Sequence, residues 1–185
     1  LLTLRQRGFP AETVEDVFCS PYFRGPAPVG NWRRLIEHLG IHAGWLQWRG
    51  KLEKRAGGAV QLRPEEARSG GPGRVVPQEE VEALWKFVSG LQGELSDTRK
   101  SPWSSWAGRA RAILEKRLCL PEDADARELA VWESVQAELS SLETFDLLQE
   151  PCDAAAFLEI LSDKLRRAAL ELEEPGRGVR VRDAM

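Results

Sequence analysis

Pro77-QEEVEALWKFVSG-Leu91 is the stretch that decides the fold. Val81, Leu84, Trp85, Val88 and Leu91 recur at steps of three and four, which lays a single apolar stripe along a helix. Pro77 suits its start, because a fixed φ and a missing N–H do no harm in the first turn. The same period extends outward in both directions. Toward the N-terminus, Pro10 precedes Ala11–Cys19, where Val14, Val17 and Phe18 share a face. Asn31 is a good N-cap for Trp32–Leu39, and Gly40 a good closing residue. Trp45, Trp48 and Leu52 predict a helix over Gly44–Ala56. Toward the C-terminus, Ser101-Pro102 predicts an N-cap and first helical residue before Trp103, Trp106, Ala110, Ile113, Leu114 and Leu118. Asp123 or Asp125 then caps a helix with Leu129, Trp132, Val135 and Leu139. After a short turn or helix over Leu142–Leu148, a last helix starts near Asp153 and carries Phe157, Leu161, Leu165, Ala168 and Leu172.

The expectation is therefore an all-α domain of about seven helices, interrupted by one long break. Gly57-Gly58, Pro64 and Ser69-Gly70-Gly71-Pro72-Gly73 predict a flexible loop over 57–76. Val179-Arg180-Val181 alternates like a strand but has no visible partner. With Leu1 at one end and this orphan strand at the other, the 185 residues read as a piece of a longer protein.

Composition narrows the function classes. At 42% hydrophobic the chain can bury a real core, and no apolar run reaches the length of about 18 residues that a membrane helix needs. The N-terminus lacks a signal-peptide layout, since Arg5 and Arg7 follow its apolar residues. Cys19, Cys119 and Cys152 are far apart with no CxxC, so the expected setting is a reducing cytoplasm. The net charge of -3 hides an uneven spread: residues 1–75 carry +5 and residues 76–185 carry -8. Two segments are basic, Arg49–Arg74 and Arg99–Arg117.

Catalytic patterns are missing from the sequence. The string Gly44-WLQWR-Gly50-Lys51-Leu52 is one residue too long for a phosphate-cradling loop and has Leu where the hydroxyl belongs. His38 and His42 are four apart, but Gly40 lies between them, so they read as ordinary histidines and not as metal ligands. Adjacent acidic pairs such as Glu79-Glu80 cannot face each other on a helix and read as solvated charge. No catalytic or metal-binding residue is expected. Seven tryptophans remain. Trp45, Trp48, Trp103 and Trp106 lie by or within the basic segments, where rings can stack bases while cations meet phosphates. Their periodicity favours a place in the core instead.

Three stretches carry a resemblance. Arg7-GFPAETVEDVFCSPYFR, ending at Arg24, resembles a segment of UvrD-like superfamily 1 helicases and AddB-like helicase-nuclease subunits. Ser101-PWSSWAGRARAILEKRL, ending at Leu118, is similar to a Trp-rich helix of the same proteins. Gly178-VRVRDAM, ending at Met185, looks like the start of a strand of their second motor domain, with Arg182-Asp183 as a departure. The resemblance implies that residues 1–185 form the helical 2B-type insertion, and that 178–185 open a motor-domain strand. The parent would then be an ATP-dependent DNA helicase or helicase-nuclease of double-strand-break repair, using ATP and Mg. No Walker motif, DExx box or nuclease motif is present, so neither activity, and no cofactor, falls on any residue of this chain.

Together these readings predict a non-catalytic accessory domain that positions DNA, or a second helicase-nuclease subunit, for the motor, without membrane contact. Arg49, Lys51, Lys54 and Arg55 are the first DNA-contact candidates, followed by Arg99, Lys100, Arg109 and Arg111. The alternative is a helical protein-interaction domain with no nucleic acid contact.

Overall fold

The computed structural model describes residues 1–25, 30–62 and 75–173. Among them seven α-helices follow in order: α1 (Ala11–Cys19), α2 (Trp32–Leu39), α3 (Trp45–Leu52), α4 (Gln78–Glu94), α5 (Trp103–Arg117), α6 (Ala126–Glu143) and α7 (Ala154–Glu173). Two short strands, β1 (Val60–Gln61) and β2 (Val75–Val76), lie between α3 and α4, and a 3-10 turn over Thr144–Leu148 follows α6. The fold is mostly helical, as the periodicity predicts. The chain packs as two compact units. The first comprises Leu1–Asp97 and Ile113–Cys119; the second comprises Thr98–Ala112 and the described residues from Leu120 onward.

In the first unit α2 and α3 both pack on α4. Trp32, Leu35, Trp48, Leu52, Leu84 and Leu91 are all fully buried there. Gly40 takes a left-handed φ of 57° and donates its N–H to Glu37 and Ile36, ending α2 as the sequence predicts. Asn31 does not cap by its side chain; its Nδ2 instead donates to Glu80 Oε1 at 2.9 Å, tying α2 to α4. The helix expected over Gly44–Ala56 stops at Leu52, and the chain then turns through 53–58.

The expected loop 57–76 is corrected at its ends only. Its ends are pinned as an antiparallel pair, Val60 opposite Val76 and Gln61 opposite Val75. Val60, Leu62 and Val76 join the core, and burying them offsets the entropy of fixing both ends. The remaining part, 63–74, lies outside the described residues, as do the expected strand at 178–185 and the whole third resembling segment.

In the second unit α6 packs along α7. Trp103, Trp106, Leu139, Leu142, Phe157 and Leu161 are buried. Asp125 begins α6 with a full capping box: its carboxylate accepts from Glu128 N–H, and the Glu128 carboxylate accepts from Asp125 N–H. The N-terminus of α5 is held differently from expectation. Ser101 forms a bridge with Cys152, exchanging both backbone hydrogen bonds, and the cap comes from Asp146. Its Oδ1 accepts from Trp103 N–H at 2.7 Å, and both oxygens receive Ser104 N–H at longer range. Asp146 accordingly sits below the usual aspartate range, held there by hydrogen bonds from Ser104 and from the Trp103 N–H.

Candidate nucleic-acid interface

The tryptophans of the basic segments belong mainly to the core. Trp48 is fully buried and its indole N–H donates to Phe9 O at 2.8 Å. Phe9 holds that carbonyl in place through a left-handed corner, with φ of 74° at Gly8 and 53° at Phe9. Trp45 stacks on Trp85, centroids 5.6 Å apart and planes 14° from parallel, which fastens α3 to α4. Trp103 and Trp106 are buried, and their indole N–H groups donate to Glu150 O and Cys152 O. Four of the rings that stood beside cations in the sequence are thereby occupied by packing or hydrogen bonds.

The eight candidate cations divide evenly between the two units. In the first unit, Lys51 has turned inward. Its Nζ donates to Leu39 O at 2.5 Å and to Gly40 O at 2.7 Å, placing a cation on the last carbonyls of α2. Arg49 is exposed and pairs with Glu53 one turn later, at 2.9 Å. Lys54 and Arg55 are exposed in the turn after α3, and Arg55 spends one N–H on Lys51 O at 3.1 Å.

In the second unit, Arg111 is committed to α6. It donates to Gln136, Ser140 and Glu143, all within 3.2 Å. Arg109 lies over the Trp106 ring, 4.9 Å from its centroid. Arg99 and Lys100 are exposed in the segment before α5. Of the eight, then, Lys51 and Arg111 are taken up by hydrogen bonds within the fold, and Lys54, Arg55, Arg99 and Lys100 face solvent.

A shallow cavity of about 510 Å³ adjoins the α3–β1 turn. His38, Lys54, Arg55, Gly57 and Gly58 line it, with the first residues of the β1 strand closing one side. The sequence placed Lys54 and Arg55 in a basic run but gave no sign of this cavity, which closes only where the chain folds back past His38 of α2. A second cavity, about 380 Å³, lies on α4. Glu79, Glu82, Lys86 and Arg117 line it, and Arg117 is already held by Glu94 at 2.7 Å.

Among the described residues no group of three His, Cys, Asp or Glu side chains is gathered as a metal site, and no helix is long and apolar enough to cross a membrane. Two of the resembling segments meet. Phe23 and Leu118 form an antiparallel bridge, flanked by hydrogen bonds from Arg24 N–H to Arg117 O and from Cys119 N–H to Tyr22 O. No family model, curated protein or solved structure matches the chain.

Proposed function

We propose that this chain is a non-catalytic, helical DNA-positioning module of the kind its resemblance implies, an accessory part of an ATP-dependent helicase or helicase-nuclease. The observation that carries the reading is the paired exposure of Lys54 and Arg55 on the unit with excess positive charge. With Trp48, Trp103 and Trp106 buried and Trp45 stacked on Trp85, binding rests on phosphates and not on stacked bases. Contacts of that kind are insensitive to sequence and sensitive to salt. The bridge between Phe23 and Leu118 adds support, since the Ile113–Leu118 end of the second pattern then packs in the same unit as the Arg7–Arg24 pattern. ATP and Mg belong, in this reading, to the motor.

The test is a fluorescence-anisotropy titration of the chain with duplex and single-stranded oligonucleotides over a range of salt. Lys54→Glu with Arg55→Glu should weaken binding at least tenfold and flatten the salt dependence, while a scrambled oligonucleotide binds equally. Binding that is unchanged by the double substitution overturns the reading.

A second reading has its own observation. Leu147 and Leu148 are 86% and 66% exposed, on the same unit as the exposed Leu129 and Val131. They favour docking of a protein partner, such as a second subunit. Undetectable DNA affinity together with loss of subunit binding in Leu147→Ser/Leu148→Ser would select it.

A further inference from the structure

The cavity beside the α3–β1 turn contains two glycines that the fold does not require. A glycine is ordinarily explained by a left-handed φ or by a neighbour too close for a Cβ. The first explanation serves Gly40 and Gly44, with φ of 57° and 92°. It does not serve Gly57 or Gly58, neither of which has a positive φ. The second fails as well, because a Cβ built on either would meet no atom within 4 Å. Gly30, Gly50, Gly93 and Gly108 share this lack of a local requirement; what sets Gly57 and Gly58 apart is the cavity they line with Lys54 and Arg55, where a missing side chain lets a ligand approach the backbone closely.

The surroundings say what ligand. Both glycines line the cavity with Lys54, Arg55 and His38. Lys54 brings an ammonium with three donors, and Arg55 a guanidinium with five, of which one is used on Lys51 O. Among the described residues no carboxylate lines this cavity, in contrast to the α4 cavity with Glu79 and Glu82. The Gly58 N–H is spent on Arg55 O at 3.1 Å, so an anion here is held by the two exposed cations; they suit a compact, multiply accepting anion, and the charge-assisted hydrogen bonds they form are the strong ones.

We infer that the Lys54–Gly58 turn is a phosphate-binding pocket, in which the two cations hold the oxyanion and Gly57 and Gly58 let it approach the backbone. This rests on the proposed DNA reading for its physiological ligand, a phosphodiester of the strand. The same pocket chemistry would also hold the phosphate of a small metabolite, and the test separates the two.

The chain is labelled with nitrogen-15 and the amide signals of Gly57, Gly58 and Ala59 are followed by NMR. Inorganic phosphate is added first, against sodium chloride at equal ionic strength, and then a duplex oligonucleotide. Phosphate should shift these signals where chloride does not, and Lys54→Ala should weaken that response about tenfold. Gly57→Ala with Gly58→Ala should weaken it comparably while leaving the thermal midpoint equal or higher, since neither glycine is needed by the fold. Shifts of the same amides by the duplex identify the phosphodiester as ligand. Shifts by phosphate alone support a small phosphorylated ligand and count against the DNA reading. A response to chloride equal to that to phosphate, or an unaltered phosphate affinity in the double glycine variant, overturns the pocket. Duplex binding that depends on Lys54 and Arg55 yet spares these amides also overturns the pocket, and leaves the DNA reading standing.

Discussion

Lys51 Nζ lies against two carbonyl oxygens at the end of α2, 11 and 12 residues earlier in the chain. Removing it leaves those carbonyls without their charged donor. Lys51→Ala should lower stability by about 1 kcal/mol, read from a denaturant midpoint, and should weaken DNA binding less than Lys54→Ala does. Arg5 caps α4 in the same way, donating to Leu95 O at 3.0 Å and to Ser96 O. In the sequence both are indistinguishable from solvated cations, because the carbonyls they meet come from another element. Glu94 is the acidic counterpart. Burial pushes its carboxyl up, but hydrogen bonds from Arg117 and Lys116 outweigh burial and hold it below its ordinary value of 4.5. A folded-state value that is depressed contributes stability above the unfolded value and loses it as pH falls through the folded one. Glu94→Gln should therefore cost about 1–3 kcal/mol at pH 7, and the gap from the parent chain should close as pH falls below 4.5. Urea midpoints measured at both ends of that range check it.

At the scale of elements, the cap of α6 was legible, whereas α5 starts at Trp103 as the sequence predicts but takes its cap from elsewhere. Asp125 and Glu128 lie three apart, so a capping residue there is written in local sequence. Asp146 reaches Trp103 N–H from 43 residues away, and the 3-10 turn that carries it has no periodicity to read. The β1–β2 pair was hidden for a related reason: each strand is two residues long and stands beside glycine and proline, so only tertiary burial of Val60, Leu62 and Val76 defines it. The long helices were legible because each stripe has several turns over which to repeat. Disrupting the local cap by Asp125→Ala should cost about 1 kcal/mol. Hydrogen exchange should show the loss in the first turn of α6, with α4 unaffected; uniform loss across both helices would contradict a local cap.

For the molecule as a whole, charge divides along the same line as packing. Counted over their full sequence, the first unit holds 15 basic and 13 acidic residues and the second 11 and 16, giving +2 and -5. The imbalance was visible in the sequence as a gradient, but its assignment to units was not, because Ile113–Cys119 belongs with the N-terminal residues and brings Lys116 and Arg117 with it. Local contacts outweigh such background fields at short range, yet at low salt the background sets how strongly a polyanion is drawn to each surface. Lys54 and Arg55 act on a positive background, Arg99 and Lys100 on a negative one. Each phosphate contact contributes about 0.9 to the slope of log affinity against log salt. Lys54→Glu with Arg55→Glu should thus reduce that slope by about 2, whereas Arg99→Glu with Lys100→Glu should change it by clearly less. Anisotropy titrations at four or more salt concentrations, taking the two double variants side by side, decide the matter: equal losses would mean that DNA engages both units alike and that the charge division has no part in placing it.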